Sequence, residues 1–195
     1  MSFDPALASP LWAGESASPS ASVQRGLNYL HQVDGWALAP GMVNRLEGVP
    51  DRLRIASWIG ENIASVNGKL NDCLQACHDC FYPTERRALQ IFAAPLAPNL
   101  SLDGVCNIHS NPMTLLIDVG RVAPTDWLAI VAHEYAHAHL GNSGHDATFA
   151  TLLSHLCLGL GLEQPTWEAG METKLRHWPP CAATADPLAF WRGQG

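Results

Sequence analysis

Two segments in the N-terminal half place apolar side chains at helical spacing. The first covers residues 23–38 and predicts a short amphipathic helix. The second begins after Pro50, which suits a first helical turn, and predicts a longer helix that ends at residues 81–83. Its apolar positions are Leu53, Ile55, Ile59, Ile63, Val66, Leu70, Leu74 and Cys77. Glycines within both segments, such as Gly26 and Gly60, argue against unbroken helices.

Three short apolar runs follow and predict β-strands at residues 88–93, 104–109 and 113–119. Prolines separate these runs and exclude a continuous helix across them. The C-terminal half then returns to helical patterns, so the order of elements predicts an α+β domain with a small sheet.

The apolar run at residues 127–132 predicts the next helix and leads directly into His133-Glu134-Tyr135-Ala136-His137, an H-E-x-x-H pattern. Histidines four residues apart lie on one face of a helix, so both imidazoles can bind one metal ion. Glu134 lies beside them and can act on a metal-bound water as general base.

The residues around the pattern supply a helix start, a helix stop and a third candidate ligand. Thr125 or Asp126 is the expected N-cap, and residues 141–144 (Gly-Asn-Ser-Gly) form a strong stop. His145 stands eight residues after His137, where a further helix over residues 145–158 is predicted to begin. Catalytic zinc typically has three protein ligands and one open position, a requirement that His145 would complete.

These residues resemble the small zinc metallopeptidases of the SprT-like and WLM type. In those proteins H-E-x-x-H precedes a short loop, a third histidine and often Asp and Phe, and His145-Asp146 with Phe149 is similar to that tail. The resemblance covers about residues 86–160. It implies a minimal zincin-like domain with a small sheet, an H-E-x-x-H helix and a following ligand helix. It also implies zinc ligands and a catalytic base, which are His133, His137 and His145 as ligands and Glu134 as base.

In such enzymes an edge strand beside the motif helix can hold an extended peptide by backbone pairing. The strand predicted at residues 113–119 is the nearest in sequence, so it is the candidate edge strand.

Three other side chains compete with His145 as third ligand. A straight helix points His139 away from the face of His137, Asp146 is better placed to orient an imidazole or cap a helix, and His155 lies nearly three turns beyond His145.

A cysteine pattern, Cys73-x-x-x-Cys77-x-x-Cys80, has the spacing of the cluster-binding motif of radical S-adenosylmethionine enzymes. Those enzymes need a large barrel, which this chain cannot form. On a helix the three thiols share one face, so packing as small apolar side chains is expected.

Composition limits the remaining possibilities. The 195 residues, 47% of them hydrophobic, suit one domain at 23–162, preceded by a flexible Ser/Ala/Pro-rich tail at 1–22 and followed by an aromatic-rich extension at 163–195 that packs on it. A net charge of −7 argues against a nucleic-acid partner.

No apolar run suits a membrane span, and the first residues have no features of a secretory signal. Six cysteines are then expected to be reduced thiols in a cytoplasmic compartment.

The predicted function is hydrolysis of a peptide bond in a peptide or protein substrate by a Zn²⁺ enzyme. Two alternatives use the same residues: a zinc-binding scaffold without catalysis, and a metal enzyme that acts on something other than a peptide.

Overall fold

The computed structural model describes residues 19–194, and over that range the chain is an α+β protein of six α-helices and a three-stranded sheet. The helices are α1 (Ala21–Asp34), α2 (Arg52–Asp79), α3 (Trp127–Leu140), α4 (Ala147–Leu160), α5 (Glu172–Leu175) and α6 (Pro187–Trp191). The strands are β1 (Leu89–Ala93), β2 (Gly104–Asn107) and β3 (Met113–Ile117). The α+β class is therefore confirmed, and each predicted strand is present in a slightly shorter form.

The predicted tail reaches the described part of the chain only at its end, because residues 1–18 lie outside it. Ser20 already caps α1, and its hydroxyl accepts a hydrogen bond from the backbone N–H of Val23. The helix ends at Asp34, four residues before the predicted end. Asp34 is buried, and its carboxylate accepts hydrogen bonds from the backbone of Gly41 and from Arg45. These bonds hold the turn that follows α1.

Two glycines explain how α1 and α2 pack despite the helix-weakening residues in both. A Cβ at Gly26 would lie 1.9 Å from the carbonyl oxygen of Ala56, and a Cβ at Gly60 would lie 2.0 Å from that of Ser22. The two backbones therefore touch where only hydrogen fits. The cost of a helical glycine is about 1 kcal/mol. Burial of the apolar face of α2 contributes more free energy than these glycines cost, so α2 runs unbroken from Arg52 to Asp79.

The sheet has the order β1-β3-β2, so the expectation that residues 113–119 form an edge strand is wrong. β3 pairs in parallel with β1, in the register Ile91 to Leu115, and antiparallel with β2, in the register Cys106 to Leu115. Its residues from Thr114 to Ile117 are all buried, as a central strand covered on both faces requires. The strand at the edge of the sheet beside the motif helix is β2.

The C-terminal segment after α4 returns to the end of β3 and closes part of the core. Leu175 and Trp191 are both fully buried. The indole N–H of Trp191 donates to the carboxylate of Asp118 over 3.0 Å, and Val122 forms a β-bridge with Ala183. Within residues 19–194, no helix combines the length and the apolar character that a membrane span needs.

Candidate metal centre

The motif helix α3 lies in the centre of the protein, where it packs against α2, α4, β2 and β3. Every residue from Val131 to Ala138 is buried, which the preceding apolar run accounts for. Asp126 occupies the N-cap position but its side chain does not cap the helix. The carboxylate accepts instead from the backbone N–H of Ala182 over 2.7 Å, which ties the C-terminal segment to the start of α3.

The three predicted ligands come together beside this helix, which carries His133 and His137, while His145 comes from beyond its end. Gly141 adopts a φ of 68° and stops α3, and the side-chain oxygen of Asn142 then accepts from the backbone of Gly144. This turn carries His145 back over the helix. The Nε2 atom of His133 lies 3.2 Å from that of His137 and 3.3 Å from that of His145.

The hydrogen bonds on the far side of two rings fix which nitrogen carries the proton. The Nδ1 atom of His133 lies 2.7 Å from the carbonyl oxygen of Trp178, and that of His137 lies 3.1 Å from the carbonyl oxygen of Asn142. A carbonyl oxygen can only accept, so both Nδ1 atoms donate. In the neutral rings the two Nε2 atoms then carry bare lone pairs that face each other. A metal ion bound by both nitrogens would satisfy this pair of acceptors.

The spacing of the nitrogens also suits a metal ion. Bonds of about 2.0–2.1 Å from a tetrahedral ion to imidazole place the ligand atoms roughly 3.3 Å apart. The ligand atoms of His133, His137 and His145 all lie within 4.8 Å of one another, so this group can hold a metal ion. Across residues 19–194, it is the one group of three or more His, Cys, Asp or Glu side chains close enough to share an ion.

The electrostatic surroundings keep the imidazoles neutral. Burial and then the charge of His137 lower the pKa of His133 to about 3. Burial, His137 and the nearby Arg176 lower that of His145 to about 4. The pKa of His137 is also lowered, chiefly by burial. Neutral imidazole is the form that binds metals, so the lone pairs are available at physiological pH.

Glu134 lies in the same cavity and is only 5% exposed. Burial, followed by repulsion from Asp103, raises the pKa of its carboxyl group to about 8. Its position depends on Gly104 at the start of β2, because a Cβ there would lie 2.9 Å from both Cγ and Oε1 of Glu134. The sequence pattern identified Gly104 only as a strand boundary, whereas the structure shows that it makes room for the carboxyl group.

The histidines and Glu134 line a cavity of about 470 Å³. β2 forms one wall, and Arg176 and His177 from the C-terminal segment form another. Apolar side chains complete the lining, among them Leu38, Leu102 and Ile130. This volume is of the size that binds small molecules or a few peptide side chains.

The rival ligands take other roles. The ring of His139 stacks on Phe81, with centroids 4.2 Å apart, and the Nε2 atom of His155 lies 2.8 Å from the carbonyl oxygen of Cys80. Both line a separate groove of about 890 Å³ that the three-histidine group does not reach. Asp146 is the N-cap of α4, where its carboxylate accepts from two backbone N–H groups. This is one of the two roles expected of it.

Residues 176–178 complete the centre, and sequence reasoning missed their role. The carbonyl oxygen of Trp178 orients His133 across 45 positions of sequence. A backbone carbonyl carries no residue-type signal, so no motif could identify it. One indication in the sequence that this segment reaches the site is the presence of two polar residues, Arg176 and His177, within an aromatic-rich extension.

The three cysteines of the Cys73-x-x-x-Cys77-x-x-Cys80 pattern lie apart from this centre, whereas Cys106 lines its cavity. Cys73, Cys77 and Cys80 are free thiols, and Cys77 is fully buried in the core. Burial raises the pKa of all three thiols, which disfavours the thiolate form that binds metals. Their helical spacing therefore reflects packing, in line with the sequence interpretation.

Comparison of the chain with models of protein families, with curated proteins and with solved structures found no match. The chemistry of the centre is accordingly inferred from its own residues.

Proposed function

We propose that the protein is a zinc-dependent metallopeptidase with a zincin-like domain, similar to the SprT-like and WLM enzymes. One observation carries the proposal: three neutral imidazoles and a buried carboxyl group, all from the H-E-x-x-H pattern and the turn after it, converge on one cavity. A structural histidine cluster would not need an acidic side chain at the same place.

Zinc is the metal that this donor set favours. Three imidazoles without a fourth protein ligand are typical of catalytic zinc, in which one position stays open. Bound there, zinc would act as a Lewis acid and supply a nucleophilic water at neutral pH. Trp178 and Asn142 would hold the first two rings in the tautomer that presents Nε2.

Glu134 is the proposed general base. It would take a proton from the attacking water and later deliver it to the leaving amine. A group that both accepts and returns a proton works best with a pKa near the working pH. Burial raises the pKa of Glu134, and a divalent cation held by the three imidazoles would lower it again toward the ionised form that a base needs.

β2 is the proposed binding edge for an extended substrate. The backbone N–H of Asp118 donates to the carbonyl oxygen of Asp103, so Asp103 and every second residue after it bond to β3. Gly104 and Cys106 consequently direct their backbone groups to the open edge. Gly104 is also in contact range of Glu134. A peptide paired there would lie beside the metal ligands and the base.

The decisive experiment replaces Glu134 with Gln, which keeps the shape and removes the base. Wild-type protein loaded with zinc is first screened against a peptide library by mass spectrometry. E134Q should retain zinc and hydrolyse the selected peptide roughly a hundredfold or more slowly. E168Q, a matched change at an exposed glutamate outside the cavity, should retain both.

Equal turnover by E134Q and the wild type would show that Glu134 is not the base. If zinc is firmly bound and the library contains no substrate, the peptidase proposal fails and the scaffold or non-peptidase alternative replaces it.

A further inference from the structure

The guanidinium group of Arg176 has no ion-pair or hydrogen-bond partner within residues 19–194, whereas six of the other eight arginines have one. Within residues 19–194, Arg45, Arg86, Arg121 and Arg192 each form an ion pair with an aspartate. The guanidinium group of Arg176 forms none there. It lines both the cavity of about 470 Å³ and an adjoining one of about 280 Å³ that also reaches His133.

The main chain on both sides of Arg176 is fixed. Leu175 is fully buried in the core. On the other side, the indole N–H of Trp178 donates to the carbonyl oxygen of Glu163 over 2.9 Å, while the carbonyl oxygen of Trp178 accepts from His133. The backbone of Arg176 is therefore fixed beside the two cavities, and its exposed side chain lines both of them with no acid beside it.

Charge makes this position informative. The chain as a whole carries a net charge of −7, and an unpaired cation is free to bind an anion from outside. Arg176 lines the same cavity as the three histidines, and with His133 it also lines the adjoining one. His177 lines the same two cavities. A guanidinium group presents a planar fork that matches a carboxylate in two-point hydrogen bonding.

We propose that Arg176, with His177 beside it, forms a subsite for a carboxylate of the substrate. The inference rests on the proposed function in one respect, that the substrate is a peptide. The carboxylate then has two possible sources, the C-terminus of the peptide or an aspartate or glutamate side chain. Either would place the scissile bond at a fixed distance from a negative charge.

Binding of chelating probes tests the subsite without requiring hydrolysis. Three short peptide hydroxamates of one backbone are titrated by calorimetry into zinc-loaded protein. The first has a free C-terminal carboxylate, the second a C-terminal amide, and the third a C-terminal amide with a glutamate side chain. At least one carboxylate probe should bind the wild type about tenfold more tightly, or better, than the neutral probe, the scale of a charge-assisted hydrogen bond. The carboxylate probe that binds more tightly than the neutral probe shows whether the subsite takes a C-terminal carboxylate or an acidic side chain.

Variants assign that preference to Arg176. R176Q should bind the neutral probe as the wild type does and lose the preference for the carboxylate probe. R176K, which keeps the charge but not the fork, should retain part of it. R52Q alters an exposed arginine at the start of α2, outside both cavities, and should leave the preference unchanged.

The subsite is refuted by absence of a carboxylate preference in the wild type, by its persistence in R176Q, or by failure of every probe to bind. Carboxylate preference without hydrolysis of any peptide would support the subsite and contradict the peptidase. Hydrolysis of a peptide without a carboxylate preference would support the peptidase and contradict the subsite.

Discussion

The imidazole Nδ1 of His133 donates a hydrogen bond to the main-chain carbonyl oxygen of Trp178 over 2.7 Å. The first residue of the H-E-x-x-H pattern is thus oriented by the C-terminal segment, and that segment is anchored in turn through the Trp178 indole and Glu163. Such outer hydrogen bonds set the tautomer and direction of a metal-binding ring. The segment after α4 is accordingly part of the candidate centre, as is the motif helix itself.

The third ligand is the first prediction. H145A should weaken zinc binding, because it removes a nitrogen that lies 3.3 Å from the Nε2 atom of His133. Loss of a residue that only hydrogen-bonds to a ligand typically weakens metal affinity about 10- to 100-fold, and the effect of H145A should be larger than that. H139A should leave the affinity close to that of the wild type, since His139 stacks on Phe81 instead. Competition titration with a chelating dye measures both. Similar affinities for the two variants would remove His145 from the ligand set.

The pH dependence of stability in metal-free protein is the second prediction. His133 and His145 have pKa values lowered from 6.5 to about 3 and about 4. Below pH 6.5 the unfolded chain binds protons that the folded chain does not, so stability falls as the pH falls. Glu134 acts oppositely: its pKa is raised from 4.5 to about 8, so its contribution is lost as the pH rises toward 8.

Urea unfolding at pH 5, 6.5 and 8, after removal of metal with EDTA, should therefore show greatest stability near pH 6.5. E134Q should keep the decline toward pH 5 and lose much of the decline toward pH 8. A profile unaltered by E134Q would mean that the carboxyl group is not buried as the structure places it.

A third prediction concerns the space that Gly104 leaves for Glu134. A methyl group at Gly104 would lie 2.9 Å from the carboxyl side chain, so G104A should cost about 1–3 kcal/mol of unfolding free energy and slow hydrolysis. G68A is the matched control, because nothing lies within 4 Å of a Cβ there. In mid-helix that change should stabilise by roughly 0.5–1 kcal/mol. Denaturant midpoints compare the two, and a G104A protein as stable as the wild type would count against the contact.

Local spacing in the sequence was sufficient for the three-histidine group. The i, i+4 relation of His133 and His137 follows from helix geometry, and the glycines after Leu140 end the helix as expected. The strand positions were likewise predicted, because each is a short apolar run between turn residues. These features depend on residues close together in the chain.

Features that depend on distant residues were not predicted. The order of the sheet is one. Because β3 is close to the motif helix in sequence, it was expected to be an edge strand, but its burial on both faces requires a central position. The contact of Gly26 with Ala56 is another, since a glycine alone signals weakness in a helix and not a close helix partner. The carbonyl of Trp178 is a third, for a backbone atom is the same in every residue.

The metal content of the purified protein tests the centre most directly. Inductively coupled plasma mass spectrometry on the wild type, H133A and H137A, with H155A as a control from the separate groove, gives metal per chain. The convergence of the three Nε2 atoms predicts about one zinc per chain in the wild type and H155A, and loss of that zinc in both motif variants. Full zinc occupancy in both H133A and H137A would contradict the three-histidine centre.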